Sequence, residues 1–262
     1  MAESGLTGSR RIDLNSDLGE GFGAFRAGDD AALFPLISSA NVACGFHGGD
    51  PRVMEWTVAA AKAHGVAVGA HPGFPDLVGF GRRELAATPD EVRTDTLYQI
   101  GALDAFCRAA GVRLQHVKAH GALYNHAVKD PALAAAIAAA AAVYDRGLIF
   151  LAQPGTALLA AAAAAGLPTA REGFADRAYN ADGTLVSRRL PGAVIAEPEI
   201  AAERALRLVA EGKLTTIDGQ ELTLTIDSLC IHSDTPGAVA MARAIRRRFD
   251  AAGIAVRPLR PR

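Results

Sequence analysis

Charge of one sign is what this chain most plainly lacks. It carries 27 lysine and arginine residues against 28 aspartate and glutamate, a formal net charge of −1, which excludes the basic footprint of a nucleic-acid binder or membrane-surface protein. Cysteine is scarce. Cys44, Cys107 and Cys230 are odd in number and form no CxxC pair, so no disulfide framework is expected and a reducing, cytoplasmic setting fits best. Apolar runs of membrane-spanning length are missing as well. The Ala-rich stretches 132–143 and 157–165 come nearest, and they read as soluble helices because alanine forms helix well while being only weakly hydrophobic. The opening residues, MAESGLTGSRR, lack the apolar stretch of a secretory signal; residues 1–11 are expected to be a flexible extension ahead of a single domain over 12–262. No GxxxxGK[ST] or GxSxG occurs, and Gly19-x-Gly21-x-Gly23 has the wrong spacing for a dinucleotide fingerprint. Neither a P-loop, a nucleophile elbow nor a Rossmann site can be claimed.

What is present is an ordinary globular composition, half hydrophobic and 21% charged, long enough to bury a sizeable core. Short apolar runs alternate with helical patterns, the signature of βα units and a mainly parallel sheet. Seven strands are expected, at Ile12 to Asn15, Ile37 to Ala43, Val66 to His71, Leu114 to Lys118, Leu148 to Ala152, Thr169 to Phe174 and Ser228 to His232. Asp50-Pro51 and Asp130-Pro131 read as helix starts, and Thr88-Pro89-Asp90-Glu91 as a capping box. Gly65, Gly111, Gly166 and Gly212 sit where helices should stop. Two short ribbons, around Asp182-Gly183 and Asp218-Gly219, interrupt the rhythm.

A parallel strand covered by helices is normally apolar on both faces. Here the strands alternate, and the polar member is repeatedly a chemically useful one. Period two places Asp13, Asn15 and Asp17 together, then His116, Lys118 and His120, then Cys230 and His232; Asn41 and His71 take equivalent places. An open sheet gives no reason for a polar face. A closed barrel does, because its interior and C-terminal mouth collect residues from many strand ends. The expected fold is therefore α/β, a TIM-like (β/α) barrel with seven strand candidates. Asp50 reads as a helix cap rather than a catalyst, and Cys44 and Cys230 as small buried apolar residues rather than nucleophiles.

Aspartate, glutamate, histidine, lysine and arginine at one mouth are the set needed for attack of water on a carbonyl. The same Asp and His residues could ligate a divalent metal instead, and spacing does not decide between the two.

The runs DLNSDLGEGFG (13–23), ANVACGFHGGDP (40–51), GAHPGFPD (69–76), GFGRR (79–83), HVKAHGALYN (116–125), FADRAY (174–179) and CIHSD (230–234) resemble the LamB/YcsF family, that of the A subunit of the prokaryotic ATP-dependent 5-oxoprolinase. The likeness runs from about residue 12 to residue 256. Departures from the usual family pattern, at Ala119, Gly173, Ser187 and Ser233, remove no ionisable group. The resemblance implies a barrel related to the glycoside hydrolase and deacetylase superfamily. It also implies ATP-dependent cleavage, with Mg2+, of 5-oxo-L-proline to L-glutamate, and two partner subunits. The catalytic candidates are Asp13, Asp17, His47, His71, Lys118, His120 and His232. Asn15, Glu20, Asn41, Glu172, Asp176 and Arg177 are candidates for binding substrate. A bound transition metal is left open, with Asp17, His47 and His71 as candidate ligands. Two other readings stand beside this one: a stand-alone divalent-metal-dependent deacetylase or amide hydrolase, and a non-catalytic lactam-binding component.

Overall fold

Strands pair in chain order until the last returns to the first. The computed structural model describes residues 11–260; the other positions, including nearly all of the expected N-terminal extension, lie outside the described residues. β1 (Arg11–Leu18), β2 (Ser39–Ala43), β3 (Ala67–His71), β4 (Leu114–Val117), β5 (Ile149–Ala152) and β6 (Thr169–Phe174) run side by side. After them β7 (Lys213–Thr215) and β8 (Glu221–Thr223) form a separate antiparallel ribbon, the one expected around Asp218-Gly219. β9 (Ser228–His232) bonds in parallel to both β6 and β1, closing a seven-stranded barrel. All seven expected strands are there, those at Thr169–Phe174 and Ser228–His232 with the expected ends and the others with ends moved by at most three residues. β10 (Ala255–Val256), which pairs with the start of β1, has no signal in the sequence, because two residues carry no periodicity. The expected ribbon at Asp182-Gly183 is reduced to isolated bridges, Tyr179 with Leu185 and Arg177 with Val194.

Local chemistry sets the helix ends. The short α1 (Asp30–Leu33) is followed by α2 (Pro51–His64), where Asp50 accepts from the Arg52 and Val53 amides, the capping role expected of it. Thr88 and Glu91 complete the capping box of α3 (Pro89–Ala110). α4 (Gly121–Ala127) leads to α5 (Pro131–Tyr144), capped by Asp130, and then to α6 (Ala157–Ala164). α7 (Pro198–Glu211) packs on α8 (Ala238–Ala251), and Arg247 and Arg248 on α8 pair with Glu199 and Glu203 on α7. Among the described residues no single helix is long and apolar enough to cross a membrane.

The helices bury the outward faces of the strands: Ile12, Leu14, Val42, Val68, Val117 and Ile231 belong to one apolar core. Inside the barrel, Ile149, Leu151, Ala170 and Leu259 form a small separate apolar cluster. The remaining interior is polar and largely hydrogen-bonded within itself, with His116 Nδ1 left unpartnered. Asp13 accepts from the hydroxyls of Ser38, Ser39 and Ser228, and the Asn15 amide donates to Ser228 Oγ at 2.7 Å. Gly69 leaves room for His116, since a Cβ there would overlap the His116 ring. Gly69→Ala is therefore expected to destabilise the barrel by roughly 1–3 kcal/mol, the usual range for overpacking a filled interior. Urea unfolding measures this, and an unchanged midpoint would show that His116 can move aside freely.

Candidate active site

Barrel register delivers residues from distant parts of the chain to the C-terminal mouth. Asp17 stands opposite His232 across β1 and β9, and His71 ends β3 beside Ala43. Lys118 and His120 follow β4, while Glu20 and His47 follow β1 and β2. Nearly all of these side chains are buried.

One group surrounds Glu20. Its Oε1 lies 3.2 Å from both His47 Nε2 and His120 Nδ1, and 3.9 Å from His71 Nε2. The His47 and His120 rings stack with centroids 3.6 Å apart, and His71 meets both edge-on. The loop 76–83 lies over these rings: Phe80 O is 2.8 Å from His120 Nε2, and a Cβ on Gly81 would fall 2.6 Å from His47 Cβ. Burial pushes His47 down to about 3 and lowers His71 as well.

A second group is built on Lys118. Its Nζ lies 2.9 Å from Asp17 Oδ1, 2.8 Å from Glu172 Oε1, 3.1 Å from Cys230 Sγ and 3.3 Å from Asn15 Oδ1. Asn41 braces it from the side, its amide donating to Asn15 Oδ1 (2.7 Å) and Asp17 Oδ1 (2.8 Å) while Oδ1 accepts from His116 Nε2 (2.8 Å). Burial disfavours the ammonium, yet the Asp17 carboxylate keeps it charged well above the ordinary lysine range. Asp17 is likewise buried, and the Lys118 ammonium 2.9 Å away reverses that penalty and holds it ionised. Glu172 goes the other way, pushed up to about 7 by burial in spite of Lys118. Two carboxyls on one lysine thus have separated proton affinities, the pattern that assigns one to remain charged and one to carry a proton. Cys230 is driven by burial far above its ordinary range, so it stays a thiol.

Folded Glu172 holds its proton more tightly than the unfolded chain does, so its contribution to stability is complete below about pH 4.5 and is lost as pH rises through about 7. Relative to Glu172→Gln, the native protein is expected to lose unfolding free energy across that window. Urea midpoints measured through it check this, and parallel curves would mean that Glu172 is ionised throughout.

The third group is a relay. His232 Nδ1 lies 2.9 Å from Asp176 Oδ1, Thr235 Oγ1 donates to Asp176 Oδ2 at 2.5 Å, and the His232 ring stacks on Phe174. Asp176 accepts the Nδ1 proton, which leaves His232 Nε2 facing Asp17 Oδ2 at 3.8 Å. Burial raises the Asp176 pKa, but His232 outweighs it and holds the group at about 2. Three arginines gather at the rim. Arg82 pairs with Asp234 at 2.7 Å, and Arg177, pulled down to about 10 by burial and then by the Arg188 charge, donates to the carbonyls of Val186 and Ala193. One guanidinium nitrogen of Arg188 is buried without a partner.

Among the sequence candidates, Asp17, Glu20, His47, His71, Lys118, His120, Glu172, Asp176 and His232 converge. Asn15 and Asn41 lie beneath them as braces. Asp13 is not brought to the mouth: its oxygens are saturated by three serines one layer deeper, because period two fixes only the face and not the depth. Arg177 reaches backbone carbonyls of the 178–194 segment rather than the centre. The metal candidates divide, His47 and His71 joining Glu20 and His120, and Asp17 joining Cys230 and His232. Tyr124, which donates to Glu172 Oε2 at 3.1 Å, Thr235, Arg82 and the Phe80 carbonyl were given no role from the sequence, although Tyr124, Arg82 and Phe80 lie within the runs that carry the family resemblance. His116 was placed on the inner face by periodicity, without a role.

The model of the LamB/YcsF family matches residues 12–262. The chain belongs to the LamB/YcsF family. It is 57% identical to the 5-oxoprolinase A subunit of Symbiobacterium thermophilum over 247 residues, 94% of this chain and 95% of that one. Against the 5-oxoprolinase A subunit of Thermus thermophilus the identity is 55%, covering 94% and 99%. The crystal structure of a lactam utilization protein from Thermus thermophilus superposes with a TM-score of 0.91 at 54% identity, over 95% of this chain and all of that one. A family 4 carbohydrate esterase from Streptomyces lividans reaches a TM-score of only 0.43 at 10% identity over 96% of this chain and 94% of its own, too little to argue from. With its LamB/YcsF relatives this chain shares nearly full length.

Proposed function

We propose that this LamB/YcsF chain is the A subunit of a 5-oxoprolinase, and that its barrel mouth opens the lactam of 5-oxo-L-proline to L-glutamate with ATP and Mg2+, in a complex with two partner subunits. The observation that carries the reading is identity above 50%, across nearly whole chains, to relatives bearing that name. The buried acid–base constellation supports it. A five-membered lactam keeps its amine beside the carbonyl at high effective molarity, so ring opening is opposed by ready reclosure. Phosphorylation of the lactam oxygen by ATP would couple opening to nucleotide hydrolysis and make the ring carbon a better electrophile.

Each group at the mouth then has a task. His232, oriented by Asp176, takes a proton from water at Nε2 and returns it toward the leaving nitrogen. The Lys118 ammonium stabilises the negative charge of the phosphoryl group carried on the activated lactam oxygen. Asp17 orients the attacking water, and Glu172, with its raised proton affinity, donates to the ring. The arginine rim, with one Arg188 nitrogen unpartnered, suits the carboxylate of 5-oxoproline or the phosphates of the nucleotide. Because the site is covered by the loop 76–83, substrate entry requires that loop to open, breaking the Arg82–Asp234 pair.

Glutamate release from 5-oxo-L-proline by the purified chain, with and without its two partner subunits and with and without ATP, tests the proposal. ATP-dependent glutamate in the full mixture is expected. Folded components that give none, beside an active reference complex, would overturn it.

A further inference from the structure

Two histidines at the mouth have their tautomers set by backbone carbonyls. His71 Nδ1 lies 2.7 Å from Lys118 O, and His120 Nε2 lies 2.8 Å from Phe80 O. A carbonyl oxygen can only accept, so each of those nitrogens carries the ring proton and the other nitrogen presents a lone pair. The two lone-pair nitrogens, His71 Nε2 and His120 Nδ1, face each other at 3.0 Å. Glu20 Oε1 adds a third donor, 3.2 Å from the His120 nitrogen and 3.9 Å from the His71 nitrogen. With neutral rings, three electron-rich atoms meet in a buried space with no proton between them.

Those separations match ligands around one small cation. A tetrahedral ion with bonds of about 2.0–2.1 Å sets its ligand atoms roughly 3.3 Å apart. The surroundings are those of a metal site too, since ligating histidines characteristically donate their second N–H to a carbonyl or carboxylate. His71 and His120 both do so. His47 does not, because its Nδ1 is buried without a partner while Nε2 faces Glu20. The carbonyl serving His120 comes at a conformational cost. Phe80 has φ of 55°, the single non-glycine residue in the left-handed region among those described, and strain of this kind persists where the surrounding structure demands it.

We propose that Glu20, His71 and His120 bind a divalent transition-metal ion of the zinc class, with His47 holding Glu20 in place and the fourth position open toward Asp17. Imidazole and carboxylate donors suit that class. Asp17 Oδ2, 3.4 Å from His71 Nε2, borders the open position, with His232 beyond it. An ion there supplies Lewis acidity and lowers the pKa of bound water. The ligand set differs from the sequence candidates by taking Glu20 and His120 in place of Asp17 and His47. It requires no particular substrate, so it stands apart from the lactam reading.

The test reads metal rather than turnover. Chelator-stripped full-length protein is titrated with Zn2+ and separately with Co2+, following bound metal by elemental analysis and the visible absorption of the Co2+ form. About one equivalent per chain is expected, with a rise in unfolding temperature. His71→Gln, His120→Gln and Glu20→Gln should each weaken binding by tenfold or more, while His232→Gln, which alters the neighbouring Asp17–Cys230–His232 group, should not. Circular dichroism confirms that each variant is folded. No stoichiometric binding by the unaltered protein would overturn the proposal, and point to a proton shared between His71 and His120. Loss of metal on His232→Gln with retention in the other variants would overturn the ligand assignment.

Discussion

On the proposed function, Lys118→Met is expected to lower ATP-dependent glutamate release by about 10²–10³-fold, the scale seen when a preorganised stabiliser of charge is removed. Methionine preserves much of the apolar stem while deleting the cation that Asp17, Glu172, Cys230 and Asn15 share within 3.3 Å. Breaking a buried ion pair from one side typically costs about 3–5 kcal/mol. Here the cost should be smaller, because Glu172 already has a pKa of about 7 and takes up a proton when its partner goes, while Asp17 keeps the Asn41 amide at 2.8 Å. The variant should therefore remain folded and lose turnover. Lys118→Arg should not rescue it, since a planar fork does not fit a cage shaped around a point charge. Steady-state kinetics on the assembled complex, with thermal unfolding of the isolated chain, give both readouts. Turnover that survives in a folded Lys118→Met would remove the ammonium from the chemistry.

Asp176→Asn should reduce kcat by about 10²–10⁴-fold, the usual contribution of a positioned acid–base group. Asparagine is nearly isosteric and can still meet His232 and Thr235, but its amide no longer demands a proton on His232 Nδ1, so the wrong tautomer can face the mouth. His232→Ala should show a loss of similar size. The double variant should be no worse than His232→Ala alone, because two residues acting as one unit are not additive. A purely structural role for Asp176 predicts something else: lower stability with unchanged kcat in the folded fraction, and losses that multiply in the double variant.

Much of this architecture was legible locally. Alternation in the run from Ile12 to Asp17, and again from His116 to His120, separates a helix-facing side from a polar side, and that periodicity needs no tertiary information. Asp50 and Asp130 announced themselves as caps through the prolines that follow them. Depth within the barrel was not legible: Asp13 and Asp17 share a face, yet one is saturated by serines and the other stands at the mouth. Loop carbonyls were invisible as well, since nothing in the residue identity of Phe80 or in the peptide after Lys118 reveals that they orient His120 and His71.

The sequence by itself determined the seven barrel strands, the polar inner face and the family, because a two-residue period and specific motif runs are properties of neighbouring residues. Only the tertiary structure decided which groups meet. Asp17 and His232 face each other across the join of β1 and β9, and Glu20 reaches His71 and His120 from other strands. Barrel closure and register set those meetings, and they in turn decide which carboxyl keeps its charge, which takes a proton, and which nitrogens are left with free lone pairs.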